Sequence, residues 1–241
     1  MIRKESIPST LENFQPKELD ILNSYIGLIK AHEDFPEILL YNYARVVRTQ
    51  ELTKQLVYYE IFKKIIEIPG DIIEIGVLEG QSLFSFAHFS EIYEHRNYTR
   101  KILGFDDFEG YSLPNGHFIK ASSFHLLEQS VALFNKAVAF NQFEKIKIVK
   151  GNIVSNIQIY VEESHPVCAL FILHKGLYEI DKEVLQTLYP RIPKGGIILN
   201  GSFAYEKEKS CTQIVDDIFG IQNLSLRRFP FATKYCYFIK D

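Results

Sequence analysis

Five stretches of this 241-residue chain place glycine, acid, amide or histidine directly after a short apolar run, and any chemistry has to be sought there. The first reads Ile72-Ile73-Glu74-Ile75-Gly76-Val77-Leu78-Glu79-Gly80-Gln81-Ser82. Gly76 and Gly80 let the backbone turn sharply and come close to a ligand, and a helix starting after Gly80 offers free N–H groups to an anion. A purely structural strand-to-helix turn would use the same spacing. The spacing is neither the dinucleotide G-x-G-x-x-G nor a phosphate-binding loop with Gly-Lys-Ser/Thr, which argues against a nicotinamide dehydrogenase or a P-loop enzyme. The second stretch is Gly104-Phe105-Asp106-Asp107-Phe108-Glu109-Gly110. An acid at the end of the neighbouring strand is placed to accept hydrogen bonds from a ribose diol, the alternative being a helix cap or turn acid. The remaining three are Gly151-Asn152, His174-Lys175-Gly176 and Asn200-Gly201.

The elements that must carry these positions follow from the hydrophobic pattern. Up to about Glu67 the chain reads as helical, with Leu52, Leu56, Tyr59 and Ile66 at helical spacing and Phe62 near the same stripe. Pro69-Gly70 stops that helix. Apolar runs then appear at 72–75, 102–105, 146–149, 167–173 and 196–199, separated by amphipathic segments such as 81–94, 124–142 and 182–188. Near-continuous apolar runs alternating with helices predict a parallel sheet covered on both faces. The runs 224–229 and 234–239, broken at Pro230, predict an antiparallel pair at the sheet edge. In such a sheet ligands bind outside the carboxyl ends of the strands, where all five stretches fall. No linker interrupts the chain, so we expect one domain: a helical N-terminal extension over 1–68 and an α/β core over 69–241.

Composition narrows the class. Lys+Arg 27 against Asp+Glu 30 gives a formal charge of −3, which argues against a nucleic-acid partner held by many phosphate contacts. Tyr 14 and Phe 19 with Trp 0 read as a ring-rich core rather than a base-stacking platform. Cys168, Cys211 and Cys236 are odd in number and lack metal-ligand spacing, as expected of reduced thiols in the cytoplasm. The N-terminus has no signal-like apolar core, and no run is long enough to span a bilayer, so no membrane role is expected.

Pro69-Gly70-Asp71-Ile72-Ile73-Glu74-Ile75-Gly76-Val77 followed by Gly104 to Gly110 resembles the S-adenosylmethionine-dependent methyltransferases of the macrocin O-methyltransferase type. The branch labelled dTDP-6-deoxyhexose 3-O-methyltransferase is the most similar. The likeness continues through Tyr41-Asn42-Tyr43-Ala44-Arg45, Tyr59 to Lys64, Leu177-Tyr178-Glu179, Tyr189 to Gly196 and Arg227 to Thr233, from about residue 41 to the end. The resemblance implies a class I methyltransferase (Rossmann-like) fold, a mostly parallel seven-stranded sheet with an antiparallel last strand. It assigns Glu74, Gly76, Gly80 and Ser82 to the methionine part of S-adenosylmethionine and Asp106 to its ribose. It implies a small-molecule acceptor, a nucleotide sugar or glycoside; a homodimer would suit the helical extension.

The acceptor side departs from the family pattern. Where the family has Asp-x-Asp-Leu-Tyr, this chain has His174-Lys175-Gly176-Leu177-Tyr178; where it has a carboxylate pair, this chain has Asn200-Gly201; and Gly-Asp becomes Gly151-Asn152. Mg²⁺ is held largely through carboxylates, so no metal site is expected. The Asn152 side-chain oxygen can still accept from an adenine amino group. Three readings stay open. His174 is a metal-free general base, since a neutral imidazole with pKa near ~6.5 takes a proton at neutral pH, or it is a packed strand-end histidine. The chain binds S-adenosylmethionine for a changed chemistry, with Lys175 orienting an anionic substrate. Or it is a non-catalytic relative serving as accessory subunit or binding module. His117 and His125 fall where a lid or substrate loop is expected. Glu206, Lys207, Glu208 and Lys209 read as an exposed charged turn, and Asp216-Asp217 as a solvated helix face.

Overall fold

The computed structural model describes residues 23–24, 26–31, 34, 36–112, 118–120, 125–174, 178–201 and 209–241. By internal contacts the chain divides into Met1–Thr53 and Lys54–Asp241, the division falling within the helix Thr49–Ile65. In the first unit the described part holds the short helices Pro36–Tyr41 and Tyr43–Val46 and the start of the third. Asn42 closes the first of these by donating from its side-chain amide to the Ile38 carbonyl.

In the second unit the apolar runs become strands because Ile, Val, Leu and Phe fit a sheet buried on both faces. In chain order they are β1 Asp71–Ile75, β2 Ile102–Asp106, β3 Gly110–Ser112, β4 Phe118–Lys120, β5 Ile146–Lys150, β6 Cys168–Leu173, β7 Ile197–Asn200, β8 Arg227–Phe229 and β9 Ala232–Ile239. Seven of them form one sheet in the order β5-β2-β1-β6-β7-β9-β8. Pairing is parallel from β5 through β7 and antiparallel at β7–β9 and β8–β9. This is the α/β sheet expected from the sequence, with its antiparallel last strand. The hairpin β3–β4 stands apart as a two-stranded antiparallel sheet, in a stretch where only a loop was expected.

The strand alternation divides the core. Ile72, Ile102, Leu170, Ile172 and Leu199 pack on one face with Phe62, Leu83 and Phe86. Ile73, Ile75, Leu103, Phe105 and Phe171 pack on the other with Ile157, Leu185 and Ile214. The rings do core work, as expected: Phe62, Phe86 and Phe89 stack between the helices Thr49–Ile65 and Gln81–Tyr93 at centroid separations of 5.7–6.4 Å.

Two local devices fix the first face. Arg100 is buried and closes the end of Thr49–Ile65, its guanidinium donating to the carbonyls of Ile65, Ile68 and Gly70 and pairing with Glu94 at 2.8 Å. The last carbonyls of a helix lack intrahelical partners, and here one side chain supplies several. Gly104 on β2 has no side chain because a methyl group there would lie 2.5 Å from both Leu83 Cδ1 and Val77 Cγ2. That close approach brings the Gly76–Gly80 loop and its helix down onto the sheet.

Candidate cofactor and acceptor site

The chain lays down β1, β2 and β5 in one direction, then returns to place β6 and β7 on the other side of β1. The strand order therefore reverses between β1 and β6, and the carboxyl ends of these two strands open a crevice of the kind that binds ligands in open α/β sheets. His174, the residue after β6, lies at this crevice, its backbone N–H donating to Ile75 O at 3.0 Å.

On the β1 side, Gly76 has φ +80 and Gly80 φ +78, a left-handed conformation that glycine adopts without steric cost. Leu78 between them is held at φ +51, and its N–H donates to Asp106 Oδ2 at 3.1 Å. Phe108, also left-handed at φ +57, donates its N–H to Asp106 Oδ1 at 3.0 Å. Asp106 is buried at the end of β2 and ties together the loops after β1 and β2. These two bonds make Asp106 the turn acid of both loops. Leu78 and Phe108 carry no sequence signal for this strain, since neither residue type favours positive φ.

Gly80 caps the helix Gln81–Tyr93. A Cβ on it would meet the Phe134 ring at 2.6 Å, so a protein side chain occupies the space beside its α-carbon. That contact gives Gly80 a packing reason of its own. Glu74, buried within β1, lies beneath the helix, and Ser82 Oγ sits 2.5 and 2.6 Å from its two carboxyl oxygens. Burial pushes the Glu74 carboxyl up to about 8, against the lowering effect of the Ser82 bond and with a smaller upward push from Asp106. Asn152 caps the helix Ile153–Ser164, its side-chain oxygen accepting from Ser155 N–H at 2.9 Å. It is exposed at the end of β5, so the helix cap accounts for an amide at this position.

On the acceptor side, the His174 side chain is 21% exposed, and its Nε2 lies 3.9 Å from Glu74 Oε1. Asn200 ends β7 and is buried. Gly201 follows, and a methyl group built on it would lie 3.3 Å from His174 Cε1, 3.4 Å from His174 Nδ1 and 3.3 Å from Tyr235 Cε1. Tyr235, on the antiparallel strand β9, is buried with its ring 6.4 Å from that of Tyr58. The sequence showed Tyr235 only as one more strand aromatic, because the antiparallel return that brings it beside Gly201 is a tertiary fact. The imidazole, amide and glycine at the ends of β6 and β7 do not fit Mg²⁺, which takes oxygen ligands and largely carboxylates. Among the described residues no three His, Cys, Asp or Glu side chains gather into a metal-binding group.

Lys175, His117, Glu206, Lys207 and Glu208 lie outside the described residues. His125 and Lys209 open the helices His125–Asn141 and Lys209–Phe219. Asp217 is more than a solvated helix acid: it accepts from the Tyr178 hydroxyl and faces Lys182 Nζ at 3.5 Å. These partners hold its carboxyl below the usual range, the Tyr178 bond first.

A sequence model of the family described as macrocin-O-methyltransferase (TylF) matches residues 42–226. Among solved structures, the calicheamicin methyltransferase CalS11 aligns with a TM-score of 0.80 at 23% identity, over 94% of this chain and 94% of its own. An apo structure of CalS11, described as a TDP-rhamnose 3'-O-methyltransferase, gives 0.77 at 24% identity, over 94% and 96%. The O-methyltransferase NovP gives 0.57 at 16% identity, over 78% and 79%. At these identities the structural likeness speaks for the fold. No curated protein sequence matches the chain.

Proposed function

The chain belongs to the macrocin-O-methyltransferase (TylF) family, and from that premise we propose that it methylates a hydroxyl of a sugar or sugar-bearing small molecule by a route that needs no metal ion. It is an S-adenosylmethionine-dependent methyltransferase by family, and its sheet is that of the class I enzymes. The observation that carries the proposal is the crevice at the reversal of strand order. Glu74, Ser82 and Asp106 stand there on the cofactor side, with His174 directly after β6 and Asn200-Gly201 at the end of β7 on the acceptor side.

When bound, S-adenosylmethionine supplies a methyl group on a sulfonium centre, which a hydroxyl oxygen accepts as it loses its proton. The protein's part is to hold and orient. Asp106 accepts from ribose hydroxyls while bracing the loops at Leu78 and Phe108. Glu74 and Ser82, with the Gly76–Gly80 turn, form the floor beneath the methionine end. Asn152 borders the adenine end. His174 takes the hydroxyl proton as general base, without a metal ion to acidify that hydroxyl. CalS11, described as a TDP-rhamnose 3'-O-methyltransferase, suggests nucleotide sugars as the first acceptor class to try. Such an enzyme works in the cytoplasm, where nucleotide sugars are made. The match to the macrocin-O-methyltransferase (TylF) family speaks against the non-catalytic alternative.

The test is methyl transfer from S-adenosylmethionine to TDP-linked deoxyhexoses, with and without a chelator. We expect chelator-insensitive turnover in the parent and a loss of about 100-fold or more in His174→Ala, the size of a general-base contribution. Activity abolished by chelator and restored by Mg²⁺ would refute the metal-free route. Parent-like rates in His174→Ala would remove the histidine from the mechanism.

A further inference from the structure

The edge of the sheet opposite the crevice carries a cavity of about 250 Å³. It lies between the loops that lead into β6 and β7, which are parallel neighbours, so both loops meet at the amino ends of these strands. Val167 precedes β6 and His174 follows it, about 20 Å apart by the rise of a strand. The cavity is therefore separate from the crevice. Its walls are apolar and stiff. Pro166, Pro190 and Pro193 have their φ fixed by the ring, and Ile192 is buried. Lys240 pins the main chain on both sides of Arg191, its Nζ donating to Tyr189 O at 2.9 Å and to Ile192 O at 2.8 Å. Arg191 itself brings a permanent positive charge to the cavity. Its Nε is sealed from solvent without a hydrogen-bond partner, and no hydrogen bond or ion pair to a described residue engages the rest of the guanidinium. A sealed donor on a charged group that lacks a partner is costly and uncommon. No acid lines this cavity; the other titratable residue there is His165, exposed after the helix Ile153–Ser164. Glu162 and Glu163 stand exposed on that helix outside the lining. Asp71, whose N–H donates to Val167 O, has its carboxylate taken by the Tyr160 hydroxyl and the Lys101 N–H.

We propose that this cavity is a second binding site, for a small carboxylate with a compact apolar body, and that Arg191 is its counter-ion. A guanidinium offers parallel N–H donors in the spacing that a carboxylate accepts. Its charge is delocalised, so an anion at the Nη end also supplies the countercharge that the sealed Nε lacks. Size fits the class: a cavity of about 150 Å³ takes benzene, and about 250 Å³ takes such a ring together with its carboxylate. Apolar walls with one charged anchor are the usual construction of a small-molecule site. They favour a monoanion with an apolar body over inorganic phosphate, which has more charge to desolvate and no surface to bury. Walls already fixed by proline and by Lys240 keep the ordering cost of binding low. The inference shares no residue with the methyl-transfer reading and stands or falls without it.

The test titrates the ¹⁵N-labelled full chain with benzoate at constant ionic strength and follows the Arg191 Nε–H and the amides of Val167 and Ile192 by NMR. The Arg191 signal is assigned by its loss in Arg191→Lys. We expect saturable shifts at all these groups, with half-saturation at about 1–10 mM or below, as suits so small a ligand. The amides of Gly76 and His174, at the opposite edge, should stay in place. Shifts that remain linear through about 50 mM overturn the proposal. So do shifts at Gly76 and His174 with Arg191 unmoved, which put benzoate in the crevice instead. Benzyl alcohol, which lacks the charge, and inorganic phosphate, which lacks the apolar body, should each bind at least about tenfold more weakly than benzoate. Equal affinity for either one overturns the ligand class. Arg191→Lys keeps the charge and loses the planar fork, and should weaken benzoate by about tenfold, read at the Val167 and Ile192 amides. Parent-like affinity in that variant removes Arg191 as the anchor. Its affinity for S-adenosylmethionine should stay within about twofold of the parent's, and a larger loss would overturn the separation of the two sites.

Discussion

Glu74 shows how one residue serves both fold and site. A carboxyl sealed under a helix is costly to ionise, and its value rises to about 8 from the ordinary 4.5. The folded state thus keeps a proton that the unfolded chain releases near 4.5. The corresponding stability is full below that pH and is lost as pH rises toward about 8. Glu74→Gln has no ionisable group at this position. Its melting temperature should therefore gain on the parent's as pH rises from about 5 to about 8.5, in a window set by the linkage relation. A constant difference across that window would mean that Glu74 is already ionised in the fold. The acid at 74 was legible as a strand-end residue beside a glycine turn. Its protonation was not, because that depends on burial beneath Gln81–Tyr93 and on Ser82, which only the folded chain supplies. Asp106 was equally legible as an acceptor, but its grip on Leu78 and Phe108 was hidden, since nothing in two apolar residue types announces a left-handed turn.

At the scale of elements, the strands were the most legible part. The apolar runs became strands within a residue or two, except that 224–229 shortened to Arg227–Phe229, because burial on both faces of the central strands demands the unbroken apolar sequence that marks them. The hairpin β3–β4 was missed because its segments, Gly110–Ser112 and Phe118–Lys120, are too short to display alternation. The devices joining helices to sheet were hidden too. Nothing in the sequence singles out Arg100, whose partners are an acid six residues back and main-chain carbonyls some thirty residues away. Arg100→Met should destabilise the fold by about 3–5 kcal/mol in chemical denaturation, because Glu94 is left buried without its partner and the helix end loses its donors. Gly104→Ala should cost about 1–3 kcal/mol by overpacking against Leu83 and Val77. A loss below half a kilocalorie in either variant would mean that the surrounding side chains relax freely around it.

At the scale of the molecule, the argument rests on topology. The strand order reverses between the parallel neighbours β1 and β6, so residues one hundred positions apart, Glu74 and His174, come to 3.9 Å. Glu74, Ser82 and Asp106, which we propose for the cofactor side, lie on one flank of that reversal, and His174 and Gly201 lie on the other. Among the described residues no helix is long and apolar enough to cross a membrane. The central claim is that this crevice binds S-adenosylmethionine through protein groups alone, and calorimetric titration in the presence of a chelator tests it most directly. The account predicts micromolar binding of S-adenosylmethionine and its demethylated product, unchanged by the chelator. It further predicts weakening by about tenfold or more in Asp106→Ala, the scale of losing a charged hydrogen-bond acceptor, and in Gly76→Val, which cannot hold the left-handed turn at φ +80. Absence of binding in the parent, or parent-like affinity in both variants, would contradict it.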